Sequence, residues 1–219
     1  MERFIGKSVR HAGWIVAAAL LVLAVPVQAA VTLTFWSRDF GNYFPHAFIT
    51  LRGVPHAGGA AVNAAYGFTA KRLTPAILFG RVPGRIERPK PGYMAGAHVH
   101  FSVELTDAQY AEVLALIRGW SAAETGESRY DLNRRNCVHF VREAASRAGM
   151  VSVTFPRLMK KPHSYLNAVA AANAGAVRPI EQIGSTYLVT LPPLETSAPV
   201  AAPESDPGTV PGATRLKRP

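Results

Sequence analysis

The stretch Tyr130 to Glu143, YDLNRRNCVHFVRE, decides how this chain is read. Its first half is polar and turn-forming. From Cys137 onward the apolar residues fall at helical spacing: Val138, Val141, Ala144, Ala145 and Ala148. Asn136 stands where that period begins, and asparagine caps helices well because its short side chain accepts from free first-turn N–H groups. Cys137 is therefore expected to open a helix over 137–148. The positive end of the helix dipole favours a thiolate there, and Arg134 and Arg135 would add to that if they folded back. The same N–H groups suit an oxyanion. Val141, Ala144 and Ala148 share a stripe with Cys137, so the sulfur is expected to face the apolar side. His139 lies about 200° round the helix and is no local partner for the thiol.

Cys137 is the only cysteine of 219 residues. The segment from Met1 to Ala30 has the three-part pattern of a secretory signal peptide: Arg3, Lys7 and Arg10, an apolar run from Trp14 to Val27, then small residues. That run is short for a membrane span. An exported protein with one thiol cannot pair it within the chain. The cysteine is then either an inert buried hydrophobe or a working nucleophile.

Outward from the helix, the chain reads as a series of strands. Val31 to Trp36, His46 to Leu51, Val62 to Thr69, Ala76 to Val82 and His98 to Leu105 have the alternation or β-branched content of strands. Ser185 to Leu191 is expected to close the sheet. The proline-rich segment from Gly84 to Gly96 reads as a long loop, and Thr106-Asp107 opens an amphipathic helix that includes Tyr110, Val113, Leu114, Ile117 and Trp120. The fold class expected is α+β, an antiparallel sheet with a few helices packed on it. Residues 31–191 would be this domain. Residues 192–219, rich in Pro, Ala, Ser and Thr, read as a disordered tail.

Charge narrows the partners. The chain carries 24 basic and 14 acidic side chains. With Arg3, Lys7, Arg10 and Glu2 of the leader set aside, 21 and 13 remain, an excess of eight. That suits an anionic polymer or lipid surface. The basic residues are scattered and match no nucleic-acid motif, so no specific nucleic-acid partner is expected. No cofactor motif is present. His98-Val99-His100 is a metal-ligand pattern without a third ligand at a convincing spacing, so no metal is expected.

Seven histidines could serve the thiol as base. His11 belongs to the leader, and His56 and His163 sit in proline-adjacent turns. His46, after Pro45 at the mouth of a strand, can be held rigidly yet stay accessible. His98 and His100 are its chief rivals.

Asn-Cys at a helix start, with Phe140 following, resembles the nucleophile motif of circularly permuted papain-like hydrolases, relatives of the NlpC-type peptidases and of lecithin-retinol acyltransferase. In that group the histidine strand precedes the cysteine helix. Here PHAFITLRG, with His46, precedes NRRNCVHF, with Cys137. The resemblance covers Val31 to Gly149. It implies a papain-like sheet, Cys137 as nucleophile, His46 as base, and a third polar residue on the next strand. Asn63 in VNAAYGFT is the match for that residue, with His56 and Tyr66 as alternatives. It implies thiol hydrolysis of a peptide or amide bond, with cell-wall polymer as the substrate class that suits a basic exported protein. A lipid or ester substrate in acyl transfer is the second reading, and a metal-binding or non-catalytic binding domain is the third.

Overall fold

The computed structural model describes residues 30–39, 44–122 and 129–192. The leader expected at 1–30 and the tail expected at 192–219 fall almost wholly outside these. The protein is α+β, with a seven-stranded, wholly antiparallel sheet. The strands are β1 (Val31–Arg38), β2 (His46–Gly53), β3 (Val62–Ala70), β4 (Val82–Glu87), β5 (His98–Leu105), β6 (Arg129–Tyr130) and β7 (Arg178–Ile183). Across the sheet they run β6-β4-β3-β2-β1-β5-β7.

The central pair β1–β2 is buried along most of its length because both of its faces are covered. On one face Val31, Leu33, Phe35, Ala47, Ile49 and Leu51 pack under α2 (Asp107–Ala122), α3 (Cys137–Arg147) and α4 (Pro162–Ala172). Trp120 of α2 meets Phe68 and Phe140 edge-on, tying β3, α2 and α3 together. On the other face Trp36, Phe48 and Val99 form a smaller core with Tyr93, Met94 and Tyr187. Two short helices supply the last three residues: α1 (Pro91–Ala95) and α5 (Gly184–Thr190).

Three expectations are corrected. Of residues 76–82 only Val82 lies in a strand, as the first residue of β4: Pro75 starts a 3₁₀ turn over Pro75–Leu78, which buries Ile77 and leaves Leu78 and Phe79 exposed. The strand comes later, inside the proline-rich segment, where Pro91 starts α1 at a position in which a missing N–H is harmless. Residues 185–191 form α5 rather than a last strand, since β7 already occupies the β5 edge. In α5 only Gly184 is fully buried, so β-branched content there reflects no sheet packing.

Candidate functional site

Asn136 fixes the start of α3. Its Oδ1 accepts from the N–H groups of Val138 (2.8 Å) and His139 (3.1 Å), while Nδ2 donates to the carbonyls of Leu132 (2.9 Å) and Met159 (2.7 Å). One buried amide thus ties the helix to the preceding turn and to the segment after it. His139 completes a capping box by accepting from the Asn136 N–H. The histidine beside the cysteine is a helix cap.

Cys137 follows as the first helical residue, 4 % exposed. The backbone N–H groups of Ala47, Val138 and Cys137 itself favour its thiolate, yet burial outweighs them and pushes the thiol up to about 11. Desolvation disfavours the charged form more than the helix terminus favours it. The expectation of a ready thiolate is therefore corrected: at neutral pH this is a protonated, water-poor thiol. Arg135 does not fold back onto it. Its guanidinium stacks 3.9 Å from the Trp120 ring.

Contact with the Ala47 N–H brings the sulfur to the mouth of β2, one residue from His46. Alternation along the strand gives Ala47 to the α3 side, and His46 and Phe48 to the other. The imidazole stacks on Phe48, with centroids 6.2 Å apart. Its Nε2 is the one buried side-chain polar atom without a hydrogen bond among the described residues, so it is not bonded to the sulfur. Burial lowers its pKa to about 4, leaving a neutral imidazole with a free ring nitrogen. Gly67, opposite Phe48 on β3, makes room for it. A Cβ there would lie 2.5 Å from His46 Nε2 and 3.1 Å from Phe48 Cβ.

His46 lines a cavity of about 530 Å³ together with Thr69, Glu87, Lys90, Tyr93 and Tyr130. Tyr130 connects the cavity to the thiol. Its hydroxyl is held neutral by burial and by the nearness of Cys137. The walls are apolar and aromatic with a few polar groups, as small-ligand sites commonly are.

The structure does not bring Asn63 to His46. Asn63 pairs with Arg52, six positions along β2 from His46 and about 20 Å away at ~3.3 Å per residue. His56 lies beyond that same far end, in the β2–β3 turn, its N–H bonded to Asp107. Tyr66 neighbours Gly67 in the strand and so faces the other side, towards Tyr110 of α2. The strand positions that bring polar groups to the His46 side include Thr69, two residues past Gly67, and Glu87, directly opposite Gly67 on β4. Sequence reading misses Glu87 because it falls in a proline-rich segment with the composition of a loop. Gly67 is visible only as a glycine inside a strand pattern, a signal of close approach.

The rival histidines form a separate cluster on the α4 side of β1 and β5. His98, His100 and His163 have ring centroids 4.6 to 4.9 Å apart. His100 is fully buried between Ser37 Oγ (2.8 Å from Nε2) and Asn167 Oδ1 (2.6 Å from Nδ1). His98 meets the Glu181 carboxylate at 3.0 Å, and His163 meets Asp39 at 3.4 Å.

No family model matches the chain, and neither a curated protein nor a solved structure matches it. Among the described residues no helix is long and apolar enough to cross a membrane.

Proposed function

We propose that the protein is an exported thiol hydrolase of the permuted papain-like type, with Cys137 as nucleophile and His46 as general base. One observation carries the reading: the buried sulfur docks on the backbone beside His46, whose Nε2 is buried with no partner. An unpaired buried nitrogen is unfavourable by about 1–3 kcal/mol unless something comes to use it. The order of histidine strand before cysteine helix, and the packing of that helix on β2 and β3, fit the same reading. Export rests on the signal-peptide pattern from Met1 to Ala30.

The chemistry follows from two neutral partners. Substrate enters the cavity and His46 turns at the strand mouth so that Nε2 takes the thiol proton as the sulfur attacks the carbonyl carbon. Catalytic hydrogen bonds often tighten only in the complex. The tetrahedral oxygen is held by the Cys137 N–H, because Asn136 already occupies the N–H groups of Val138 and His139. The imidazolium then gives its proton to the leaving amine or alcohol, and water releases the thioester. Glu87 or Thr69 orients the ring.

An amide or peptide bond, with cell-wall polymer as its source, suits the basic exported chain. Wild type and Cys137→Ala incubated with peptidoglycan and with lipid esters, the products identified by mass, test this. Cleavage products from peptidoglycan only in wild type are expected. Ester products alone would move the protein to acyl transfer. Equal products from both proteins would end the thiol mechanism.

A further inference from the structure

The histidine cluster holds a feature that the thiol mechanism does not use. Both strands of this edge bulge: β5 has one extra residue, His100, against β1, and β7 has one extra residue within Ile180–Glu181 against β5. His98 and His100 face α4 and the end of β7, and Glu181 closes the group from β7. Glu181 has φ 49°, the one non-glycine residue in the left-handed region among those described. Such a conformation is unfavourable by roughly 1–3 kcal/mol and persists where surrounding structure or function demands it. Here it aims a carboxylate at two imidazoles, 3.0 Å from His98 Nε2 and 4.0 Å from His100 Nδ1.

We propose that His98, His100 and Glu181 bind a divalent transition-metal ion. One donor atom from each lies within 4.8 Å of the others. Three donors at about 2.1 Å from one ion in tetrahedral array stand about 3.4 Å apart, so closing the set requires side-chain movements of about an ångström. Two imidazoles and one carboxylate select ions such as Zn²⁺ over Mg²⁺ or Ca²⁺, which prefer all-oxygen sets. They also leave a fourth position open on the exposed side, where Glu181 is half-exposed.

The surroundings fit this role. A ligating histidine commonly donates its other ring N–H to a fixed acceptor. Ser37 Oγ, fully buried and 2.8 Å from His100 Nε2, is such an acceptor and presents Nδ1 to the site. Asn167 Oδ1, which now engages Nδ1, belongs to an exposed side chain that can turn aside when the ion binds. His163 packs against both rings with its Nδ1 facing Asp39, bracing them from α4. The sequence offers only the His98–His100 pair, because the third ligand stands far along the chain on a strand that composition does not announce.

This proposal is independent of the thiol chemistry and is tested without any substrate. Chelator-stripped full-length protein is titrated with Zn²⁺ in a calorimeter, with Mg²⁺ as control. Saturable 1:1 Zn²⁺ binding is expected, with a rise in melting temperature and no Mg²⁺ signal. His98→Ala and Glu181→Gln, at partly exposed positions that tolerate change, should each weaken Zn²⁺ binding at least tenfold. Cys137→Ala should bind as wild type does. Absence of 1:1 binding, binding unaffected in both variants, or binding lost with Cys137→Ala would each overturn the assignment.

Discussion

Two histidine environments lie on the same sheet: burial lowers the pKa of both His46 and His100, but what surrounds their ring nitrogens differs. His46 stands alone over a glycine, with a buried nitrogen that nothing satisfies. His100 has both ring nitrogens engaged and two further imidazoles against it. An unsatisfied imidazole nitrogen, one residue along β2 from the backbone that meets the thiol, is free to accept a proton. A satisfied group among other donors is arranged to hold position. On the two proposals above, the same side chain serves a reaction centre in one place and a ligand cluster in the other.

The contrast breaks most readily at the proposed reaction centre. Cys137→Ala and His46→Ala should each lower turnover by on the order of 10³-fold or more, measured on whichever substrate the product screen identifies, whereas His98→Ala should stay within about threefold of wild type. A larger loss in His98→Ala than in His46→Ala would exchange the roles of the two environments.

Gly67→Ala gives the next effect. Its Cβ would fall 2.5 Å from His46 Nε2, so the ring must move. A displaced catalytic group loses about 10²-fold in rate, while circular dichroism should show an intact fold. Unchanged kinetics would mean that the space over Gly67 is not needed for the ring to reach the thiol.

Asn136→Ala removes two accepted and two donated bonds at the α3 start. A lost cap alone is worth about 0.5–2 kcal/mol, and a loss of at least that size is expected in urea unfolding. The histidine cluster should keep its metal affinity, because it rests on β5 and β7.

Proton linkage separates the sites more gently. With the thiol raised to about 11, alkylation of Cys137 should climb about tenfold per pH unit above neutrality, with no plateau at the ordinary value near 9. Because the folded state keeps that proton, stability should fall as pH rises from 9 towards 11. His46 works in the opposite sense: its folded pKa is depressed, so its contribution is present above pH 6.5 and lost as pH falls towards 4. His46→Phe should flatten the acid limb of a stability profile. A thiol that titrates below 9 would contradict the burial described.

Asn63→Ala is expected to do almost nothing to turnover, while Glu87→Gln should lower it by about tenfold through a misoriented imidazole, with a shifted acid limb in the rate profile. The reverse order of these two would restore the triad that the resemblance implied.

Which parts were legible follows from the range of the signals. Asn136 before an apolar 3.6-residue period is a local signal, and it placed the helix start at Cys137 as observed. β1, β2, β3 and β5 are rich in β-branched and aromatic residues, and their starts are readable for that reason. Register was not readable. Whether Asn63 or Thr69 lies beside His46 depends on how β3 pairs with β2, and no residue announces it. α5 was misread because Val189 and its neighbours have strand-like composition while their exposure comes only from the tertiary fold. The protonated thiol was missed for a similar reason. A helix N-terminus is visible in sequence, whereas the desolvation that overrides it requires the packing of β2 and Tyr130 around the sulfur.

The most direct measurement is the mass of the protein caught during turnover. Wild type mixed with an activated acyl ester or a cell-wall peptide, and quenched in acid, should carry one acyl adduct that peptide mapping places on Cys137. Cys137→Ala should carry none, and His46→Ala should acquire it at least 10³-fold more slowly. An adduct on another residue, or turnover that persists in Cys137→Ala, would contradict the account.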